Sequence, residues 1–254
     1  MNWESIEEKI RPSAEIVEWI SKQIQAPVFC DSGGDDRGYR FLKPELPHFC
    51  LLKLAKATVA LRSALCVAKA GFYTEVCTLI RVVAEATTYV EWAILATDPA
   101  ASPEYKRNVE AFVEQYFADS ERTSEENPKS LKMRQKQIHD MKGELLDGIL
   151  KANNLSPDKN ASDLMSSVYI RYSKYVHAAY PETIDLYGIR LGELSLSGGS
   201  SRFKDQESFE ILDQFAWTLQ LSTAGTVVRL FADKAQKMRP DHLEWLRRMT
   251  GHSS

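Results

Sequence analysis

The chain has 254 residues, of which 44% are hydrophobic and 26% charged, and its formal net charge is −3. A chain of this length can bury a core without disulfides or metal ions, and its slight acidity limits any nucleic-acid contact to a local patch. The acidic N-terminus does not resemble a secretory signal, and the most apolar stretch, residues 76–97, carries three charged residues. We therefore expect a cytoplasmic protein with no membrane span.

Helical periodicity runs through most of the sequence. In the first segment Ile10, Val17 and Ile20 share one stripe, and Pro12 predicts a division into two helices. Residues 26–47 contain closely spaced prolines and glycines, which predict a long loop between the first helical segment and the next.

Two long helices are predicted next, at about 47–70 and 72–96, and the break at Gly71 predicts an antiparallel hairpin. Further helical patterns occur at about 103–120, 131–153, 161–179 and 205–237, and a short helix begins at Pro240. The region 189–204 is the least helical, and it predicts a short β-hairpin or an irregular lid.

The pattern as a whole predicts an all-α protein, a multi-helix bundle with one long antiparallel helical hairpin. Strand–helix alternation and a glycine-rich phosphate loop are both missing from the sequence, which argues against a dinucleotide-binding fold. We divide the chain into an N-terminal helical segment, 1–30, a helical bundle, 46–238, and a C-terminal short helix and tail, 239–254. The three parts are expected to form one compact domain.

The cysteines show no metal-binding spacing, and no histidine pair lies at zinc-ligand distance from them in the sequence, so we expect no metal and no cofactor. Cys66 and Cys77 lie in apolar helical sequence and are predicted to be core residues. Cys30 and Cys50 flank the predicted loop, and partial exposure is expected for both.

Arg81 and Glu85 are one helical turn apart within an otherwise apolar helix, and Thr78 and Thr88 extend the same stripe. An unpaired charge inside a protein is costly, so such residues must either pair or face a cleft. The pattern fits a structural ion pair, and it also fits the polar wall of a groove.

The string RYSKYVH, residues 171–177, places Arg171 and His177 on a late helix. On a helix these two residues lie about 120° apart in azimuth and about 9 Å apart along the axis, and Tyr175 lies one turn from Arg171. This geometry permits both side chains to face one groove but does not require it, and a hydrogen-bonded histidine at a helix end is the alternative.

RYSKYVH resembles the R-x(4–6)-H signature of the HEPN superfamily, the higher-eukaryote and prokaryote nucleotide-binding helical domains. LIRVVAEATTYVEWA, residues 79–93, is similar to the Arg…Glu helix of uncharacterised bacterial families placed near that superfamily. The resemblance covers about residues 46–238. Tyr172 follows Arg171 where active members often carry a small polar residue, and Tyr180 lies three residues after the histidine instead of two.

The resemblance implies a homodimer with two such motifs at a shared cleft, acting as a metal-independent endoribonuclease in a bacterial defence, toxin or stress system. It implies that His177 is the acid/base and Arg171 the phosphate-stabilising cation, with Arg81 and Glu85 in support. Histidine suits proton transfer near neutral pH, and arginine can pair bidentately with phosphate oxygens. Further residues are expected to support binding: Tyr175, Tyr180, Thr78, Lys132 and Lys136.

Two other interpretations remain open at the level of sequence. The same pattern fits a non-catalytic scaffold that binds a partner protein or a nucleotide, and it also fits a structural protein in which Arg81 and Glu85 form only an ion pair. Lys132 and Lys136 share one face of a basic stretch, which fits either a local RNA contact or a solvated helix face. Apolar positions of the 72–96 helix are candidates for a dimer interface.

Overall fold

The computed structural model describes residues 1–31, 37–118, 174–176 and 202–251. Residues 174–176 are helical. The other elements, in chain order, are α1 (Trp3–Ser21), β1 (Val28–Asp31), β2 (Arg37–Arg40), α2 (Leu46–Lys69), α3 (Tyr73–Leu95), α4 (Pro103–Ala118), α5 (Arg202–Leu230), α6 (Ala232–Ala235) and α7 (Pro240–Thr250). The predicted all-α architecture is confirmed, with one short two-stranded ribbon.

The long helices α1, α2, α3 and α5 pack around a common core. α2 packs against α3, both pack against α5, and α1 closes the bundle by packing against α2 and α5. α7 lies against α5 and α1. The largest fully buried side chains include Trp92, Phe49, Phe231, Ile6, Ile10, Ile16 and Leu212. The core therefore draws on residues from the first helix to the last quarter of the chain.

The predicted helical hairpin is formed by α2 and α3, and a left-handed glycine makes its turn. Gly71 has φ 83°, a conformation that a residue without a Cβ adopts at little cost. Its amide donates to the Ala68 carbonyl at 2.9 Å, and the Phe72 amide donates to the Val67 carbonyl at 3.0 Å. These bonds satisfy the last carbonyls of α2 and reverse the chain.

α4 docks on the hairpin through aromatic residues. The Tyr105 hydroxyl donates to the Trp92 carbonyl at 2.7 Å in a buried hydrogen bond. The Phe112 ring stacks on Tyr89 at 5.4 Å and meets Trp92 edge-on at 5.3 Å. These contacts bring the far end of α4 over α2, near Phe49.

The predicted division at Pro12 is wrong, because α1 runs unbroken from Trp3 to Ser21. A proline inside a helix removes the hydrogen bond to the carbonyl four residues earlier, here that of Glu8. Glu8 is exposed, so water can reach that carbonyl, while buried Ile10 and Ile16 hold the turns on either side of the proline against the core.

The predicted loop at 26–47 contains an antiparallel ribbon, in which Phe29 pairs with Tyr39 across β1 and β2. Strands of four residues are too short to show a clear alternation in the sequence. Residues 189–201 of the predicted hairpin lie outside the described residues. The remaining residues, 202–204, belong to the helix α5. The helix predicted at 131–153 also lies outside the described residues.

Two of the cysteine predictions are wrong. Cys66 is exposed and Cys50 is buried, whereas Cys77 is buried as expected and Cys30 is partly exposed. Cys66 shares the outer stripe of α2 with Val59 and Arg62, which are exposed as well. None of the described helices combines the length and the apolarity that a bilayer crossing requires.

Candidate functional site

α3 carries the polar residues singled out in the sequence, and it occupies the middle of the bundle. Its apolar positions Val76, Ile80, Val83 and Val90 are completely buried between α2 and α5. The large apolar side chains of α3 are buried or half-buried, so they belong to the core or its edge, and a dimer interface on this helix stays a prediction. Its remaining polar stripe lies at the edge of the core.

Arg81 and Glu85 form an intrahelical ion pair between Nη1 and Oε2. The Arg81 side chain is 12% exposed and that of Glu85 is 31% exposed, so the pair lies at the boundary between the core and solvent. The Thr78 hydroxyl donates to the Thr74 carbonyl at 3.2 Å. Among the described residues, no hydrogen bond links Thr78 to Arg81 or Glu85. The guanidinium is therefore largely neutralised within its own helix.

A second cation, Lys53 of α2, lies near the same carboxylate within a cage of aromatic rings. Its Nζ is 4.5 Å from the ring centre of Tyr116, 4.8 Å from Tyr89 and 5.5 Å from Phe49. Burial lowers the pKa of Lys53, and the Glu85 carboxylate opposes that shift. The sequence analysis missed Lys53. Its spacing of four residues from Phe49 can be read from the sequence, but its approach to Tyr89 of α3 and Tyr116 of α4 cannot.

Within the R-x5-H string, the structure describes residues 174–176, and one of these contacts the bundle core. Lys174 and Val176 are exposed, whereas Tyr175 is half-buried. The Tyr175 ring lies 6.0 Å from the Tyr73 ring in an edge-to-face arrangement. Tyr73 is the first residue of α3 and is only 4% exposed. Tyr175 therefore packs against the start of the helix that carries Arg81 and Glu85.

A polar cluster surrounds this contact. Glu207, Tyr175 and Cys77 lie close enough to the Tyr73 hydroxyl to raise its pKa. Lys204 of α5 lies with its Nζ 4.1 Å from the Tyr73 ring centre and 3.5 Å from the Glu207 carboxylate. We call these five residues the tyrosine cluster. It joins three segments that are far apart in the chain.

Burial determines the protonation of the tyrosine cluster. It raises the pKa of Tyr73 far above the ordinary tyrosine value, and the hydrogen bond to Glu207 acts in the same direction. Burial also raises the pKa of the Cys77 thiol to about 11, against the opposing effect of the hydrogen bond from Tyr73. Both groups are therefore neutral at physiological pH. The spacing of Tyr73 and Cys77 by one turn is visible in the sequence, but their partners from α5 are not.

The predicted site residues fall into two groups. Arg171, His177, Tyr180, Lys132 and Lys136 lie outside the described residues. Thr78, Arg81, Glu85 and Tyr175 are described, and the structure brings Arg81 and Glu85 into direct contact. Tyr175 contacts Tyr73 at the start of α3. Arg81 follows Tyr73 by two helical turns, or about 12 Å along the helix axis.

A separate polar cluster joins α1 to α7 and contains possible metal ligands among the described residues. Ligand atoms of Glu15, Asp241 and His242 lie within 4.8 Å of one another. The Arg239 guanidinium already bridges the two carboxylates, at 3.0 Å from Glu15 Oε2 and 2.6 Å from Asp241 Oδ2. The His242 Nε2 is 2.9 Å from Glu15 Oε2. Because Arg239 and His242 both contact Glu15, the cluster serves as a clamp between α1 and α7.

A groove of about 550 Å³ lies between the β-ribbon and the end of α4. Its walls include Tyr39, Arg40, Phe41, Tyr116 and Phe117. Tyr116 therefore lines the groove and also contacts Lys53 in the aromatic cage.

No family model, curated protein or solved structure matches the chain at a significant level.

Proposed function

We propose that this protein is a HEPN-like, metal-independent endoribonuclease in which the R-x5-H string supplies the chemistry. His177 is the general acid/base, and Arg171 binds the phosphate at the cleavage site. The observation that supports this proposal is the packing of Tyr175 on Tyr73, at 6.0 Å between ring centres. Through this contact Tyr175 lies at the start of the helix that carries Arg81 and Glu85. Cleavage of RNA in the bacterial cytoplasm, in a defence or stress response, fits such an enzyme.

The reaction proposed is transesterification within the RNA chain. The ribose 2′-oxygen attacks the adjacent phosphorus as His177 takes the hydroxyl proton, and the bond from phosphorus to the 5′-oxygen breaks. The departing 5′-oxygen takes a proton from the imidazolium formed on His177, which leaves a 2′,3′-cyclic phosphate and a 5′-hydroxyl. Arg171 stabilises the charge that develops on the phosphate oxygens, as a guanidinium does with two parallel hydrogen bonds.

Arg81 and Glu85 have a supporting role in this proposal. Because Arg81 is paired with Glu85 and its side chain is only 12% exposed, Arg81 is poorly suited to bind a phosphate directly. The pair instead stabilises the part of α3 that continues from Tyr73. In this assignment Arg171 and His177 contact the RNA, whereas Arg81 and Glu85 stabilise α3.

The dimer implied by the resemblance has a candidate interface on α5. Trp217 is 51% exposed, and Leu221 and Val228 are each 43% exposed on the solvent side of this helix. From Gln214 to Val228 the helix contains no charged residue. A helix that is apolar on its outer as well as its inner face is usually covered. A second copy suits this stripe, because a twofold interface places like residues near one another and an uncharged stripe avoids repulsion.

Cleavage assays on defined RNAs in the presence of EDTA test the proposed chemistry. We expect cleavage by the wild-type protein, products ending in a 2′,3′-cyclic phosphate, and no cleavage where the 2′-hydroxyl is replaced by hydrogen. His177→Ala and Arg171→Ala should abolish the activity. Lys174→Ala and Val176→Ala are the matched controls, since both alter exposed residues of the same string, and they should retain it. Failure of the wild-type protein to cleave any RNA rejects the ribonuclease.

A second candidate function is that of a non-catalytic binding module, and one surface favours it. Phe29 is 60% exposed and Tyr39 is 73% exposed, and their rings meet edge to face at 5.4 Å on the ribbon beside the groove. Exposed aromatic pairs next to a groove are typical of recognition surfaces. RNA or protein binding that persists in His177→Ala but is lost in Phe29→Ala/Tyr39→Ala, without cleavage by the wild type, would favour this function.

A further inference from the structure

We infer that the groove beside the β-ribbon and a smaller depression next to it form one binding site for an extended, proline-rich peptide of a partner protein, with lysine or arginine residues at one end of that peptide. The groove accepts the apolar residues of the peptide, and the depression accepts its basic residues. The site uses none of the residues proposed for RNA cleavage, so it does not depend on that chemistry.

The groove and the depression are neighbours along α4. The groove has a volume of about 550 Å³, and the depression, whose walls come from the start of α2, the residues after α3 and α4, has about 350 Å³. Pro44 and Glu114 line both, so a ligand can pass from one to the other. The walls on α4 run from Lys106 to Phe117, about 16 Å along the helix axis, which about five residues of an extended peptide span.

Aromatic rings set nearly at right angles form much of the groove wall. The Phe117 ring meets Phe41 at 88° and Tyr116 at 82°, with ring centres 6.3 and 5.1 Å apart. Perpendicular rings leave slots that fit side chains, whereas a nucleobase stacks on an open ring face. Pro27 and Pro44 add walls without N–H donors. A proline-rich peptide, which has few N–H groups and docks on aromatic-lined grooves, suits such walls.

The depression carries the charge that selects the other end of the peptide. Glu45, Glu110 and Glu114 line it and are exposed, whereas Lys106, the cation in its walls, is half-buried. Three carboxylates attract lysine or arginine side chains and repel phosphates, so a basic peptide suits this surface and an RNA strand does not. Arg40 is a cation in the wall of the groove, so the basic end of the peptide lies over the depression.

Two exposed side chains of the groove wall can be changed without disturbing the core. Tyr39 is 73% exposed and Leu42 is 63% exposed. Large apolar side chains this exposed beside a groove gain free energy when a ligand covers them. Phe41, by contrast, also packs on the buried His48 ring at 4.5 Å, so its replacement would disturb the start of α2.

Binding of labelled seven-residue peptides, measured by fluorescence anisotropy, tests the inference. Each peptide contains three or four prolines and one to three lysines at either end, and a matched set carries glutamate in place of lysine. We expect saturable binding of lysine peptides that weakens as salt is raised, and no binding of the glutamate set. Absence of saturable binding by every lysine peptide overturns the inference, and so does equal binding of the glutamate set.

Tyr39→Ala combined with Leu42→Ala tests the apolar half of the site. The double variant should weaken binding of the lysine peptides at least about tenfold, because it removes exposed apolar wall that the peptide covers. Val59→Ala, at an exposed apolar position on α2, is the matched control and should leave the affinity unchanged. Unchanged affinity in the double variant would show that the peptide binds elsewhere.

Glu110→Gln combined with Glu114→Gln tests the acidic half. This variant should weaken binding about three- to tenfold at low salt and less at high salt, since exposed ion pairs are screened. Glu104→Gln, at an exposed position of the same helix, is the matched control. A loss of the same size in Glu104→Gln would mean that only the overall charge of the protein matters, and it would reject the depression as the basic subsite.

Unlabelled single-stranded RNA, added as a competitor, separates a peptide site from a nucleic-acid site. It should leave the bound peptide in place, and displacement of the peptide would overturn the inference in favour of a nucleic-acid ligand. Each of these readouts is independent of RNA cleavage, so failure of the ribonuclease and failure of the peptide site are distinguishable. Circular dichroism confirms that each variant retains its helices.

Discussion

The Lys53 ammonium lies 4.5 Å from the centre of the Tyr116 ring, a contact that joins α2 to the last turn of α4. Tyr89 of α3 and Phe49 of α2 complete the cage at 4.8 and 5.5 Å. A lysine stem packs well among aromatic rings while its charge is attracted to their faces. The cage thus connects three helices through one side chain, and Glu85 supplies a nearby negative charge.

Lys53→Met is predicted to destabilise the protein by about 1–2 kcal/mol, since methionine preserves most of the stem packing but removes the cation from the rings. Urea unfolding followed by circular dichroism measures the change in the free energy of unfolding. Lys56→Met, an exposed lysine one turn along the same helix, is the control and should change stability by less than about 0.5 kcal/mol. Equal effects of the two substitutions would show that the cage adds no stability.

Glu85→Gln is predicted to destabilise the protein by about 1–3 kcal/mol, because it leaves the largely buried Arg81 guanidinium without its carboxylate. Arg81→Met combined with Glu85→Gln should be less destabilising than the sum of the single changes, which a double-mutant cycle in urea measures. Glu75→Gln, at an exposed position of α3, is the control. Additive effects in the cycle would contradict a coupled pair.

Much of the fold could be predicted because long helices carry a repeated signal. Each of the helices α2, α3 and α4 was placed within one or two residues, since several turns of apolar residues report the same buried face. The short ribbon had no such redundancy, with four residues in each strand. Pro12 misled the prediction for a different reason: tertiary packing of α1 outweighs the loss of one hydrogen bond.

The candidate site was only partly predictable, because its contacts join distant segments. The pair Arg81–Glu85 could be found from a spacing of four residues in one helix. The approach of Lys204 to Tyr73, by contrast, depends on how α5 packs against α3. Burial of a cysteine depends on which stripe of the helix faces the core, so the apolar sequence around Cys66 did not reveal its exposure.

Thiol labelling is predicted to separate the cysteines by exposure. A maleimide should react quickly with Cys66 and Cys30 in the native protein, whereas Cys50 and Cys77 should react only on unfolding. Burial raises the pKa of Cys50 to about 12 and that of Cys77 to about 11, so little thiolate is present at neutral pH. Mass spectrometry of peptides after timed labelling measures this. Labelling of Cys77 as fast as Cys66 would show that the tyrosine cluster opens readily.

Acid is predicted to weaken the clamp between α1 and α7. The hydrogen bond with His242, aided by the charge of Arg239, lowers the pKa of Glu15, and the hydrogen bond from Arg239 lowers that of Asp241 to about 2. A carboxyl whose pKa is lowered on folding stabilises the native state above its unfolded pKa, and this contribution is lost as pH falls through the folded value. Stability should therefore fall from about pH 4.5 downward.

Glu15→Gln removes the carboxylate that His242 and Arg239 share, so this variant should be less stable than the wild type at pH 6. It should also lose less stability on acidification, since one of the two perturbed carboxyls is gone, and the two proteins should converge toward pH 2.5. Urea unfolding at a series of pH values measures both curves. Glu18→Gln, an exposed glutamate one turn along α1, should follow the wild type throughout. A Glu15→Gln curve that runs parallel to the wild type down to pH 2.5 would mean that the clamp contributes nothing to acid sensitivity.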